Sequence, residues 1–409
     1  MKTKELWKAV IMSCVILALT GGVMAQDWPQ WRGPARDGIV SDFDAPGQWP
    51  AELTKKWSVT VGAGDATPAL VGNKLYLSTR QGDEEVTLCL NAADGKEIWS
   101  DKYAAQPVGG PARSHPGPRS SPAVADGNGV TLGVGGVVSC LDAANGKVVW
   151  RKDPFPGVVP RFFAAFSPII VDGMAIVHVG GPGKGAIIAY ELAGGDEKWR
   201  WGDEGPDYGS PVLATIAGTK QIVSPTEQSI VGISAADGKL LWKFPFPPAR
   251  RAYNAATPIV GKDVIIVTGA GRGTKALEIE KQGSGFAAKE MWSNPDLATQ
   301  FNTPVLRGGL LFGLSNRSNL FCIDAQTGET AWADTAALGS RGFGSIVGAG
   351  SCLIGLTNGS ELVVFKPDGK AYSEIKRYKV AETEIYAHPV VAGNRIFIKD
   401  QETVTLWTI

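Results

Sequence analysis

Apolar residues in this chain come in short runs broken by glycine, proline, asparagine or aspartate, which is the pattern of β-strands and turns rather than of amphipathic helices. After Thr67-Pro68 an apolar segment meets the turn Val71-Gly72-Asn73, the strand "KLYLST" follows, and a third strand ends at Asp94-Gly95-Lys96. That order recurs along the chain. A Ser/Thr-Pro pair opens a unit at Thr67-Pro68, Ser121-Pro122, Ser167-Pro168, Ser210-Pro211, Thr257-Pro258 and Thr303-Pro304, with weaker copies at Ser345-Ile346 and His388-Pro389, at steps of 42 to 54 residues. Hairpin signals close the third strands at Asp94-Gly95, Asn145-Gly146, Asp237-Gly238, Thr327-Gly328 and Asp368-Gly369. Asn-Gly and Asp-Gly are strong signals of this kind because both central residues of the turn need positive φ.

Eight units of four antiparallel strands predict an all-β chain folded as an eight-bladed β-propeller. The last unit runs out at "TVTLWTI" after three strands, while "LTKKWSVTV" near the start is a strand with no unit of its own. If that N-terminal strand completes the last blade, the ring closes and no sheet edge is left open. Four residues after the turn glycine stands Trp99, Trp150, Trp242 or Trp332. Trp199 and Trp292 hold the same place in less regular units, and Trp57 holds it on the closing strand. These seven are expected to wedge between neighbouring blades, each indole N–H donating to a backbone carbonyl. No Trp follows Gly369, so the seventh unit has the weakest outer-strand signal.

Composition narrows the class further. The 409 residues carry no formal net charge, which removes the basic excess a nucleic-acid partner would need. Lys2, Lys4 and Lys8 precede an apolar run from Ala9 to Leu19, and Val23-Met24-Ala25 offers small residues for cleavage. Residues 1–25 therefore read as a signal peptide, too short in its apolar run for a membrane span, with 26–52 an N-terminal segment and 53–409 the propeller. The expectation is a monomer exported to the periplasm or beyond, without a transmembrane span once the leader is removed. Export permits disulfides. Yet Cys89, Cys140 and Cys322 each stand six residues before a turn glycine, in equivalent places on different blades, too far apart to pair. Buried free thiols are expected there, and Cys352 is left open.

Candidate chemistry gathers where outer strands cross to the next inner strand. The loops "YAAQPVGGPARSHPGPRSS", "FPGVVPRFFAAF" and "PFPPARRAYNAA" carry Arg113, His115, Arg119, Arg161, Arg250, Arg251 and Tyr253, together with Phe162 and Phe163. Arginines collected on one face of a neutral protein present a local field that attracts anions. The residue three before each inner-strand Pro is expected at the mouth of the axial channel, which puts Asp65, Arg119, Tyr208, Phe301, Phe343 and Tyr386 there, with His388 beside them. Aromatic residues and arginine are what recognition surfaces use as anchors; rings packed on one another in the channel wall are the alternative. In "WGDEGPDYGSP", Asp203, Glu204 and Asp207 could take a hard cation, though a solvated acidic turn is the better account of them. "GGPGKG" and "GAGRGT" do not match a phosphate loop, three scattered histidines make no metal site, and no catalytic grouping emerges.

The third and fourth strands read "CLNAADGKEIW", "CLDAANGKVVW", "GISAADGKLLW" and "CIDAQTGETAW". They resemble the pyrroloquinoline-quinone (PQQ) repeat, roughly "ALDA-x-TGK-x-x-W", over about residues 50 to 409, and the opening "DWPQWRGPARDG" is similar to the start of many exported proteins of that family. The family holds quinoprotein dehydrogenases as well as non-catalytic scaffolds of the BamB type in outer-membrane assembly. The resemblance implies for the dehydrogenases a PQQ near the ring axis, a Trp floor, a disulfide of adjacent cysteines and a carboxylate-held Ca²⁺. This sequence has no Cys-Cys pair. The expected function is therefore an exported, non-catalytic, BamB-like propeller without cofactor, binding a protein, peptide or anionic ligand on the inter-blade-loop face. The alternative is a periplasmic PQQ-dependent dehydrogenase of alcohols or sugars, with PQQ and calcium.

Overall fold

The computed structural model describes residues 27–261, 264–283 and 285–409. The leader and its cleavage point lie outside them. Eight sheets surround one axis, with the four strands of blades 1 to 7 in chain order from the inside outward. Blade 1 comprises Ala69–Val71, Lys74–Gln81, Glu84–Asn91 and Glu97–Ala104, and blades 2 to 6 follow over 123–152, 169–201, 212–245, 259–294 and 305–337. Blade 7 spans 344–379. Blade 8 holds Val390–Ala392, Arg395–Lys399 and Thr403–Thr408, and its outer strand is Thr54–Thr60 from the other end of the chain. Those last two strands pair antiparallel, Thr54 opposite Thr408 and Thr60 opposite Thr403. The buried Lys399 ammonium locks this seam by donating to the carbonyls of Gly64 at 2.9 Å, Asp400 at 2.7 Å and Gln401 at 2.9 Å.

Tryptophans set the spacing between blades. Trp57 donates to the Ala92 carbonyl, Trp99 to Ala143, Trp150 to Leu192, Trp199 to Ala235, Trp292 to Ala325 and Trp332 to Asp368, in each case across the gap to the next blade. Five of these rings lie on the next blade's turn glycine. A Cβ at Gly95, Gly146, Gly195, Gly238 or Gly328 would come within 2.5 to 2.8 Å of the ring, and all five have φ between +72° and +79°. Both the turn and the wedge thus demand glycine.

Trp242 departs from the expectation: its N–H donates to the Gln221 side chain at 2.7 Å. Blade 5 explains this. Its third and fourth strands, Gly273–Gln282 and Gly285–Asn294, run on as a long hairpin, so Ile279, which holds the acceptor's place, pairs with Ala288 inside the ladder. The missing Trp of the seventh unit also has a cause. Strands three and four of blade 8 are the two ends of the chain, so no hairpin glycine exists there for a ring to rest on. Phe43 and Trp49 approach instead, Trp49 against Tyr378 at 6.4 Å, while the Tyr378 hydroxyl donates to the Pro50 carbonyl.

Cys89, Cys140 and Cys322 pair across strands with Trp99, Trp150 and Trp332, and the four cysteines among the described residues, Cys352 included, are buried free thiols. Burial pushes the Cys140 and Cys322 thiols up to about 12, so they stay protonated.

The Ser/Thr-Pro pair that opens each unit works at the axis. Ser121 N–H donates to the Ser167 hydroxyl, Ser167 N–H to Ser210, Thr257 N–H to Thr303 and His388 N–H to Thr67, each bond crossing to a neighbouring blade. Proline follows because an inner strand is a sheet edge facing the axis, where an N–H would lack a ladder partner.

That axis is filled by the chain's own N-terminal segment. Trp28 pairs with Leu70 of blade 1, the Pro29 carbonyl accepts from Val124 of blade 2, and Trp31 donates to Thr257 of blade 5 and meets the His388 ring of blade 8 edge-on at 4.5 Å. The chain then reverses. Ile39–Val40 runs back as a fifth strand, parallel to the inner strand of blade 7. Two fully buried arginines hold the reversal. Arg32 donates to the carbonyls of Thr303, Pro304 and Asp37 at 3.0, 2.9 and 2.8 Å, and Arg36 donates to those of Ser167 and Pro168 at 3.0 Å. Between them Pro34 and Ala35 remain exposed as the tip of the plug.

Candidate functional site

The inter-blade loops surround this tip and form a mouth with two groups of rings. In the first, Phe301 and Phe343 stack at 4.4 Å and 6°, Tyr386 meets Phe343 edge-on at 5.0 Å, and His115 meets Tyr386 edge-on at 4.8 Å. His115 Nδ1 lies 3.0 Å from Asp65, and that hydrogen bond raises the imidazole pKa above its ordinary value despite partial burial. Arg119 donates to the His115 carbonyl at 2.7 Å, leaving Nη1 buried and without a partner. Burial lowers the Arg119 pKa, and Asp65 opposes the effect. The Tyr386 hydroxyl donates to Glu384, an acidic neighbour that the spacing argument passed over.

In the second group Phe162, Tyr208 and Tyr253 meet edge to face, at 5.3 Å for both Tyr253 contacts and 6.0 Å between Phe162 and Tyr208. The Phe162 N–H donates to the Tyr208 hydroxyl, which fixes one loop against the next. The Arg161 guanidinium lies 5.5 Å from the centre of the Phe162 ring. Arg250 and Arg251 are exposed on the adjoining loop. Among the described residues Arg113, Arg161, Arg250 and Arg251 make no ion pair. Arg113 stands apart from both groups, in a groove of about 490 Å³ shared with Arg80, Asp83, Val108, Pro116 and Glu402.

Two expectations need correction. His388 does not reach the mouth: it is 3% exposed, under the plug against Trp31, and burial holds its imidazole neutral. Nor is the "WGDEGPDYGSP" loop a solvated acidic turn. Only Asp203 is exposed. Glu204 turns inward to Thr226, Ser229 and Lys243. Asp207 accepts the Asn254 N–H, and burial raises its pKa to about 6. Both carboxylates fasten the neighbouring blade. Among the described residues no three His, Cys, Asp or Glu come together as a metal site.

The model of the family described as the outer membrane protein assembly factor BamB matches residues 82–334. The chain belongs to that family. BamB of Moranella endobia is 21% identical over 364 residues, covering 84% of this chain and 87% of that one. The solved BamB of Moraxella catarrhalis superposes with a TM-score of 0.66 at 16% identity, over 88% of this chain and 98% of that one. A quinohemoprotein alcohol dehydrogenase from Comamonas testosteroni also has a TM-score of 0.66 at 16% identity, over 93% of this chain and 80% of that one, a likeness that carries the fold alone.

That second likeness raises PQQ and calcium. The space on the axis is taken by Trp28, Arg32 and Arg36, all at most 2% exposed. Adjacent cysteines and a carboxylate cluster are both lacking among the described residues. This set does not fit the quinone and its cation.

Proposed function

We propose that this BamB-family propeller is an exported, monomeric, non-catalytic binding protein that engages a protein partner through the inter-blade-loop face. One observation carries the reading: three unpaired arginines and two aromatic groups surround a mouth whose channel is stopped by the chain's own segment. Such a surface recognises by shape and charge. Its relatives' name, outer membrane protein assembly factor, makes a protein of the cell envelope the natural partner.

Capture from the envelope fraction of the source organism tests this. The variant combining Phe343→Ala, Arg250→Glu and Arg251→Glu is expected to lose its partner while keeping its melting temperature. A control on the opposite face, Lys96→Glu with Lys239→Glu on the hairpin turns, is expected to retain it. Unchanged capture by the first variant would overturn the reading. The dehydrogenase alternative predicts dye reduction with alcohols or sugars after PQQ and Ca²⁺ are added; no turnover is expected.

A further inference from the structure

The two ring groups differ in charge. Around Phe301, Phe343 and Tyr386, carboxylates are already in place: Asp65 is bound to His115, and Glu384 accepts from Tyr386. Around Phe162, Tyr208 and Tyr253 stand Arg161, Arg250 and Arg251, exposed and without ion pairs among the described residues. On the Tyr208 loop, Glu204 and Asp207 are committed inward to Lys243, Thr226 and the Asn254 N–H, which leaves the exposed Asp203 alone there, and the Arg161 loop adds one exposed carboxylate, Asp153, at its start.

We propose that the Phe162–Tyr208–Tyr253 group with Arg161, Arg250 and Arg251 is the docking site for an acidic peptide segment of the partner, carrying an aromatic residue between its carboxylates. The inference rests on the function proposed above and specifies its site and ligand. A guanidinium pairs with a carboxylate through two parallel N–H donors, and three of them spread over two adjoining loops match a segment with acidic residues on both sides of an anchor. The anchor is aromatic because edge-to-face rings with a free hydroxyl, such as Tyr253, accept another ring at favourable geometry. The tyrosine hydroxyls add polar contacts at little cost in side-chain freedom. The supporting loop is stiff: Asn254 donates to the Thr226 and Phe246 carbonyls and receives the Arg272 guanidinium, so Tyr253 and the two arginines before it are held in place.

The test uses fluorescence anisotropy with a labelled, terminally blocked Glu-Glu-Phe-Glu-Glu peptide on the whole protein, beside peptides with Lys in place of Glu and Ala in place of Phe. The acidic aromatic peptide is expected to bind, about tenfold more tightly than the Ala version, and to weaken as salt rises. Arg250→Glu with Arg251→Glu is expected to cost more than about tenfold, and Tyr253→Leu a similar factor, while Lys96→Glu with Lys239→Glu on the opposite face leaves binding unchanged. Equal binding of the Lys peptide, or unchanged binding in Arg250→Glu with Arg251→Glu, would overturn the proposal. If envelope capture is lost in the triple variant yet no acidic peptide binds, this site falls and the binding function stands.

Discussion

At the scale of single residues, glycine and tryptophan share each seam. Gly146 has φ +76° and sits under Trp99, while Gly72 has φ +58° and open space around it. Gly72→Ala is therefore expected to cost about 1 kcal/mol for backbone conformation alone, and Gly146→Ala about 2 to 3 kcal/mol because the ring must also move. Urea midpoints of the two variants separate the two effects. The tryptophan seams were legible in sequence because their spacing repeats; the Trp242 exception was not, because its cause lies in the next blade's long hairpin. Glu204 and Asp207 were misread for a similar reason: charge in a sequence does not say which way a loop faces. Two buried histidines give a second prediction. Burial lowers the His178 pKa to about 4 and holds His388 well below its ordinary value. Between pH 6.5 and 4 the unfolded chain binds protons that folded His178 refuses, so stability falls on acidification, by up to about 3 kcal/mol from His178. His115 runs the other way: its pKa is raised, so its contribution is complete below pH 6.5 and fades as pH rises through its folded value. Urea titrations at pH 7, 5.5 and 4.5 are expected to show the decline, with a flatter slope in His178→Gln.

At the scale of elements, the plug is what the sequence hid. "DWPQWRGPARDG" has neither alternation nor helical period, because its partners are carbonyls, N–H groups, a hydroxyl and a ring spread over seven blades rather than one sheet neighbour. Its clue was two arginines among glycines and prolines, residue types that accept irregular backbone. Arg32 and Arg36 have φ +59° and +58°, a conformation their carbonyl contacts must hold in place. Arg32→Ala removes donors from the buried Thr303 and Pro304 carbonyls and the half-buried Asp37 carbonyl and leaves a cavity, for an expected loss of about 3 kcal/mol or more. Arg36→Met is expected to cost less, since Arg36 Nε and Nη1 are buried without partners and an apolar chain of similar length avoids that penalty. Hydrogen exchange in Trp28–Val40 should accelerate in the first variant and change little in the second.

At the scale of the whole molecule, eight blades and their closure could be counted in the sequence because a surplus strand at one end matched a deficit at the other. The loops of the proposed binding face could be named but their arrangement could not be read, since loops carry no repeat and their side chains acquire meaning only when three or four of them meet. The seam has a sequential consequence. The plug and Thr54–Thr60 are made before any complete blade, yet the strand that pairs with the one and the last blade that packs on the other are made after the other seven. Roughly 350 residues must be synthesised before either finds its place, a long-range closure of the kind that slows folding. The early segment must be kept from other sheet edges during that wait, and a chain stopped short of Thr403 would have an open ring and a poorly seated core. The ring can therefore close only once Thr403–Thr408 has been made and is free to pair.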